Sequence, residues 1–360
     1  MTARLLIVGT GLIGTSIGLA LGGVDVVVVD PDEEHLTTAV DRGAGRRWNG
    51  EAVHHAVLAL PPRRIAAQLR QLQQRAAAQT FSHVASAQAV LQVDIETSGG
   101  DSASICGSHP MAGRERSGPL AATADLFAGR PWVLCPSPST TTSALDATRQ
   151  LALDCGGEPV ELTAAEHDAG VALVSHLPQV AASAVAAVLL SAPRSGDGDG
   201  LLRLAGPGLQ DTTRVASSDP ALWTDVLRQN AAAVAPLVRA LAAELDEAAQ
   251  ALQRLADGDS SGSRAVQDLL VRGRAGRQRV PVKHGEQDSA FARVSIGVSD
   301  RPGQLAGLLV SAAEAGINVE DVRVEHLAGR PRGVIELLVQ DTARTRARRA
   351  LAAAGWEVLA

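Results

Sequence analysis

The stretch Arg4-Leu-Leu-Ile-Val-Gly9-Thr-Gly11-Leu12-Ile13-Gly14, running on into Thr15-Ser16-Ile17-Gly18, decides the fold. A short apolar run that ends in Gly9-x-Gly11-x-x-Gly14 and passes directly into a small-residue helix is the strand, turn and helix of a dinucleotide-binding unit. Gly9 would form the tight turn, Gly11 would let a pyrophosphate approach the backbone, and Gly14 would let helix and strand pack closely. The phosphates would rest on N–H groups freed at the helix N-terminus, with Leu12 and Ile13 completing the cofactor-binding turn. Val24 to Val29 reads as a second strand ending on Asp30. An acid about 20 residues beyond the first glycine takes the ribose 2′-hydroxyl and repels a 2′-phosphate, so the expected cofactor is NAD. A glycine-rich turn without a ligand is the alternative, and the second strand and its acid weigh against it.

Alternation of apolar runs with helical stretches continues the α/β pattern. Asp32 to Asp41 and Arg64 to Ala78 read as helices, His55 to Leu60 and Phe81 to Ala85 as strands, and Ser86 follows the second of these. Ligands of open α/β sheets lie beyond the C-terminal ends of strands, which places Ser86 within reach of the site. A strand from Ala103 to Gly107 delivers Ser108-His109-Pro110-Met111-Ala112-Gly113, a segment read as a polar, glycine-rich loop. His109 can accept a proton near neutral pH, as oxidation of an alcohol requires; a merely structural loop histidine is the alternative. Trp132 to Cys135 and Pro159 to Leu162 close the series, so that residues 1–162 form a Rossmann-type domain.

From Thr163 the period becomes helical. Thr163 with Glu166 is a capping box, and the helix it opens carries His167, Asp168 and Ser175-His176-Leu177-Pro178-Gln179. Pro178 should kink this helix and could aim His176 into a cleft; a histidine satisfied inside a helix bundle is the other reading. Arg214, in Asp211-Thr-Thr-Arg214, offers a planar fork for a carboxylate, or else an ion pair with Asp211. Arg228 to Leu255 reads as one amphipathic helix, alanine-rich enough to pack on a second subunit. Residues 163–275 are thus an all-α middle domain, followed by a Gly/Arg-rich linker at 276–289. Residues 290–360 carry the order βαββαβ of a ferredoxin-like split unit, with a turn at Asp300-Arg-Pro-Gly303.

Bulk properties narrow the function. With 360 residues there is room for two or three domains. A net charge of −6 and no basic, aromatic-interleaved stripe point away from nucleic acid. Cys106, Cys135 and Cys155 show no CxxC spacing, so neither a disulfide framework nor a metal site is expected, and a reducing cytoplasm is the simplest setting. The most membrane-like stretch, Val171 to Ala192, is interrupted by Ser175, His176, Pro178 and Gln179 and is read as a buried helix, with no membrane partner. Lys283, in the linker, is the one lysine of the chain, which argues against Schiff-base chemistry and against a hydroxyacid dehydrogenase with a lysine acid.

Ser108-His-Pro-Met-Ala-Gly-Arg-Glu-Arg-Ser-Gly118, Ser175-His-Leu-Pro178 and Asp211-Thr-Thr-Arg214 with Ser218-Asp-Pro-Ala-Leu-Trp223 occur in an order and separation that resemble the prephenate/arogenate dehydrogenases of tyrosine biosynthesis. Asp300-Arg-Pro-Gly303 and Gly316-Ile-Asn318 resemble the effector-binding turn of amino-acid-sensing ACT domains. The resemblance implies NAD-dependent oxidative decarboxylation of prephenate to 4-hydroxyphenylpyruvate. It makes His109 the base, Ser86 its support, His176 and Arg214 substrate ligands, and Glu115 and Asp211 supporting polar residues. It also implies a homodimer and an aromatic amino-acid effector near Gly303 and Asn318. Departures exist: the serine stands in His83-Val-Ala-Ser86-Ala-Gln88, where relatives have an aspartate and a lysine, and Gln179 stands where prephenate-using relatives often have histidine. An arogenate dehydrogenase is therefore an alternative, and a non-catalytic NAD-binding amino-acid sensor is an alternative of another class.

Overall fold

The computed structural model describes residues 4–113, 117–191, 202–280, 291–326 and 332–359. It divides into two compact units, Met1–Ala249 and Gln250–Ala360. The first is built on eight strands: β1 (Arg4–Val8), β2 (Asp25–Val29), β3 (Arg46–Arg47), β4 (Val53–Leu58), β5 (Ala78–His83), β6 (Ile105–Pro110), β7 (Pro131–Cys135) and β8 (Glu158–Glu161). Their order is β3-β2-β1-β4-β5-β6-β7-β8, and every adjacent pair is parallel except β6 with β7. The first six strands reproduce the Rossmann order, with its switch point between β1 and β4. The two-residue β3 has no apolar run to announce it in the sequence.

Helices α1 (Leu12–Ala20), α2 (Glu33–Asp41), α3 (Pro62–Gln74), α4 (Ala89–Thr97) and α5 (Thr142–Asp154) cover both faces. Successive residues of a strand point to opposite faces, so β1 serves both layers. Leu5 and Ile7 pack with Ile17, Leu36, Trp132 and Leu151, while Leu6 and Val8 pack with Ile65, Leu69, Leu91 and Ile95. That double burial is why β1 and β2 read as unbroken apolar runs.

The helical part follows as α6 (Ala164–Val171), α7 (Leu177–Val188), α8 (Pro207–Thr213), α9 (Pro220–Gln229) and α10 (Ala231–Ala256), with α11 (Ser261–Gln278) beyond it. Thr163 caps α6 as expected: its backbone N–H and hydroxyl both donate to Glu166 Oε2, at 2.9 and 2.7 Å. Between α6 and α7 the backbone makes a π-helical turn, Ala172–His176, and Pro178 falls in the first turn of α7. The kink foreseen at Pro178 thus takes the form of a π turn just before it; the wider turn accommodates a ring that would clash with a regular preceding turn.

Three expectations need correction. The 164–191 stretch is long and apolar enough to cross a membrane by length and composition, yet only 17% of its most apolar window is buried. Leu173, Val174, Val185, Val188 and Leu190 face outward, uncovered by the described residues. The helix read from Arg228 to Leu255 is broken at Asn230, where α9 ends and α10 begins. The linker read at 276–289 fails over its first part, since α11 runs to Gln278 through Gly273 and Gly276; arginine is a good enough helix former to carry the glycines.

In the second unit β9 (Phe291–Ser299), α12 (Gln304–Glu314), β10 (Asp321–His326), β11 (Arg332–Gln340), α13 (Asp341–Ala353) and β12 (Glu357–Val358) form an antiparallel sheet of order β10-β11-β9-β12. This is the split βαββαβ unit. Val294, Ile296, Leu337 and Val339 pack on Leu308, Ala312 and Leu351 of the two helices. Gly303, at φ +89°, precedes α12 in the left-handed region that glycine enters without steric cost.

Candidate active site

The turn after β1 has the shape a dinucleotide needs. Gly9 has φ +101°, and a Cβ there would overlap the Ala59 carbonyl; a Cβ on Gly14 would overlap the Gly9 carbonyl. Close approach of strand and helix therefore depends on both. Gly11 faces open space, and as the N-cap of α1 it brings no side chain onto the free N–H groups, nor does the first turn of α1 carry an acid. Asp30 is fixed at the end of β2: Oδ2 accepts from the Thr10 N–H at 2.6 Å and hydroxyl at 3.1 Å, and Oδ1 accepts from the Asp32 N–H at 2.8 Å. A carboxylate has about four acceptor sites, so capacity remains for a ribose hydroxyl. These residues fit NAD.

His109 lies on a strand, not in the loop the sequence suggested. β6 runs on to Pro110, past the end of its pairing with β5 at Gly107, so His109 projects from the C-terminal edge of the sheet. Ser108, which made the segment read as loop, is fully buried: its hydroxyl donates to the His83 carbonyl at 2.8 Å and accepts from the Trp132 indole at 3.1 Å. Gln88 ties the same strand to the Ser86 loop, donating to the Ala85 and Ser108 carbonyls at 2.7 and 3.1 Å.

A chain of hydrogen bonds leads away from His109. Its Nδ1 lies 2.9 Å from His167 Nε2, and His167 Nδ1 lies 2.8 Å from Asp168 Oδ1. The Asp168 carboxylate accepts from the backbone N–H of Gln88 on Oδ1 and of Ala89 on Oδ2, each at 2.9 Å, at the N-terminus of α4. The Asn230 amide donates to the Asp168 carbonyl at 2.7 Å and to His176 Nδ1 at 3.2 Å. His176 is buried edge-on to Trp223, ring centres 6.0 Å apart. The break between α9 and α10 thus has a purpose, since it turns Asn230 inward between the two groups.

The electrostatics follow from burial. Desolvation pushes the His109 pKa down to about 3, with His167 and His176 adding to the effect and Asp168 opposing it. His109 is therefore neutral at pH 7, the state a proton acceptor must be in. His176 is lowered by burial against the pull of Asp168. Burial alone would raise Asp168, but the bonds from His167, Ala89 and Gln88 outweigh it and hold the group ionised.

The remaining expected residues are distributed as follows. Ser86 sits half-buried between β5 and α4. Asp211 is exposed in α8 and Arg214 is exposed at the start of a 3-10 turn, Arg214–Ser217. That turn packs on α7, where the Gln179 amide donates to the Val215 carbonyl at 3.0 Å. Glu115 lies outside the described residues. Gly303 opens α12, and the exposed Asn318 donates to Glu320. The structure brings His109 and His176 into one polar cluster, with His167, Asp168 and Asn230 joining them. Those three had no signal in the sequence: adjacent positions on a helix point in different directions, so spacing does not pair His167 with Asp168.

Residues 19–161 match the family description "Prephenate dehydrogenase, nucleotide-binding domain", and residues 163–262 match "Prephenate dehydrogenase, dimerization domain". The chain belongs to the prephenate dehydrogenase family. It is 37% identical to "Probable prephenate dehydrogenase NovF" of Streptomyces niveus, over 92% of this chain and 93% of that protein. Among solved structures, that of Aquifex aeolicus prephenate dehydrogenase in complex with hydroxyphenyl propionate and NAD+ shares the fold. Its TM-score is 0.67 at 24% identity, covering 78% of this chain and 99% of the other. Synechocystis arogenate dehydrogenase aligns with a TM-score of 0.62 at 25% identity, over 76% and 98% of the two chains.

Proposed function

We propose that this prephenate dehydrogenase family member catalyses the NAD-dependent oxidative decarboxylation of prephenate to 4-hydroxyphenylpyruvate. The observation that carries the reading is His109, neutral and mostly buried at the C-terminal edge of the sheet, on the side where the Gly9 turn would hold a dinucleotide. When bound, NAD+ accepts the hydride from the ring carbon that bears the hydroxyl. His109 takes the hydroxyl proton on Nε2, the nitrogen that His167 leaves free. The bond to the ring carboxylate breaks, CO2 leaves, and its electron pair makes the ring aromatic as a phenolate. The same nitrogen then returns the proton to the phenolate oxygen, so no net proton is released.

We assign Ser86 to the support of His109 and the nicotinamide, His176 to the substrate side of the cluster, Arg214 to a substrate carboxylate, and Asp211 and Glu115 to supporting polar roles. Charge-assisted bonds to a carboxylate are worth roughly 1.5–3 kcal/mol, so Arg214→Gln should raise KM for prephenate by about 10- to 100-fold and change kcat little. Steady-state kinetics check this, and a defect confined to kcat would count against carboxylate binding. The function itself is tested by NADH formation with prephenate, then arogenate, then with NADP+ in place of NAD+. No turnover of either substrate would leave the non-catalytic sensor.

The outward apolar face of the 164–191 helix supports a homodimer, with a second copy covering Leu173, Val185 and Val188. Cys106, Cys135 and Cys155 are buried free thiols, in keeping with a reducing cytoplasm. We assign the C-terminal βαββαβ unit as an ACT-type regulatory domain that takes an aromatic amino acid near Gly303 and Asn318. Calorimetric titration of the full chain with tyrosine and with phenylalanine should give saturable heat for one of them; no heat with either would leave the unit a structural role.

A further inference from the structure

We infer that His167 and Asp168 are positioning residues that fix the tautomer of His109, placing its hydrogen on Nδ1 and its lone pair on Nε2, where the substrate's hydroxyl proton arrives. The inference deepens the proposed dehydrogenase reading and rests on it for the identity of the proton donor.

The assignment follows from counting donors along the chain. Both oxygens of Asp168 accept from backbone N–H groups that can only donate, those of Gln88 and Ala89, each at 2.9 Å at the start of α4. Such a site favours the ionised carboxylate. An ionised carboxylate is acceptor-only, so His167 Nδ1, 2.8 Å from Oδ1, must carry the hydrogen. A neutral imidazole has one donor and one acceptor nitrogen, which leaves His167 Nε2 with a lone pair. His109 Nδ1, 2.9 Å away, is then the donor of that bond, and its own Nε2 is left bare. The opposite tautomer would set two lone pairs against each other at 2.9 Å and would present an N–H, useless as a base, to the substrate.

The chain also steadies the charge that forms. When Nε2 takes a proton, the His109 imidazolium donates to His167, which donates to Asp168. Of the titratable groups around His109, namely His167 and Asp168 on α6, His176 in the π turn and His83 on β5, only Asp168 is anionic. Asn230 fixes the Asp168 backbone from the other side through its carbonyl. Nothing in this set contacts substrate except through His109 and His176, so replacing His167 should act on the chemical step and not on binding.

Two variants and one spectrum test this. The amide of His167→Gln can accept from His109 Nδ1 and donate to Asp168, which preserves the tautomer; His167→Phe keeps the bulk and removes the acceptor. With prephenate, kcat should fall about 100-fold in His167→Phe and stay within about tenfold of wild type in His167→Gln, with KM close to unchanged in both. Nitrogen-15 spectra of the histidine-labelled full chain, without cofactor at pH 8, should show His109 protonated on Nδ1. An Nε2-protonated His109, or equal activity of the two variants, overturns the inference. If His167→Phe fails to bind NADH and so has not folded, the wild-type spectrum and His167→Gln still decide. A wild-type chain that turns over neither prephenate nor arogenate defeats the dehydrogenase reading instead, and the spectrum then judges the tautomer by itself.

Discussion

Asparagine in place of His109 should lower kcat for NADH formation from prephenate by about 10²- to 10⁴-fold and leave KM nearly unchanged. Asparagine fits the space and can still hydrogen-bond to His167 or to a hydroxyl, so binding and packing are largely kept. What it lacks is a nitrogen lone pair that can take a proton. A loss of that size corresponds to about 2.7–5.4 kcal/mol of transition-state stabilisation, the contribution of one well-placed base. The residual rate would come from orientation of the ring against the nicotinamide, which the substitution does not touch. Stopped-flow and steady-state measurements of NADH absorbance separate kcat from KM, and an unaltered kcat would remove His109 from the base role.

The second large effect is a loss of stability in mild acid. His55 is sealed inside the sheet, where its two ring nitrogens lie 2.9 Å from Thr80 Oγ1 and from Ser82 Oγ, and burial pushes its pKa down to about 4. Burial, with the nearby His167, pushes His83 down to about 3. Both values lie below the ordinary 6.5, so between about pH 6.5 and 4 the unfolded chain binds protons that the folded chain refuses. Stability is therefore fully present above pH 6.5 and falls progressively as the pH drops toward the folded values. Each pKa unit is worth about 1.4 kcal/mol, so the pair can remove several kcal/mol from a fold whose margin is of order 5–15. Urea unfolding at pH 8, 6.5 and 5 should show the midpoint unchanged across the first interval and sharply lower at the last. His55→Gln, which keeps partners for Thr80 and Ser82 without a titrating ring, should flatten part of that slope. An identical midpoint at pH 6.5 and 5 would show that these histidines carry no such linkage.

The parts legible in the sequence are those whose cause is local. β1 announces itself because it is buried on both faces, the Gly9 turn because steric overlap with Ala59 and between Gly9 and Gly14 admits little else, and α6 because Thr163 and Glu166 satisfy each other across a single turn. The rest depends on partners distant in sequence. Ser108 reads as a loop residue until Trp132 and the His83 carbonyl take its hydroxyl, and only then does His109 become a strand residue. The apolar stretch around Val174 and Val188 reads as buried because hydropathy reports a preference for being covered and not whether one chain supplies the cover. His167, Asp168 and Asn230 illustrate the limit most directly. Their significance comes from converging on His109 and His176 across four elements, and no spacing along the chain encodes that convergence.

The π turn at Ala172–His176 gives this stretch a fixed phase. A residue in a regular helix advances the direction of its side chain by about 100°, so removing or adding one here would swing all of α7 round its axis. His176 would leave Asn230, Gln179 would leave Val215, and the outward stripe of valines would face elsewhere. Substitutions within the turn leave that angle alone, whereas a change in its length by one residue would uncouple the histidine cluster and the outward apolar face together.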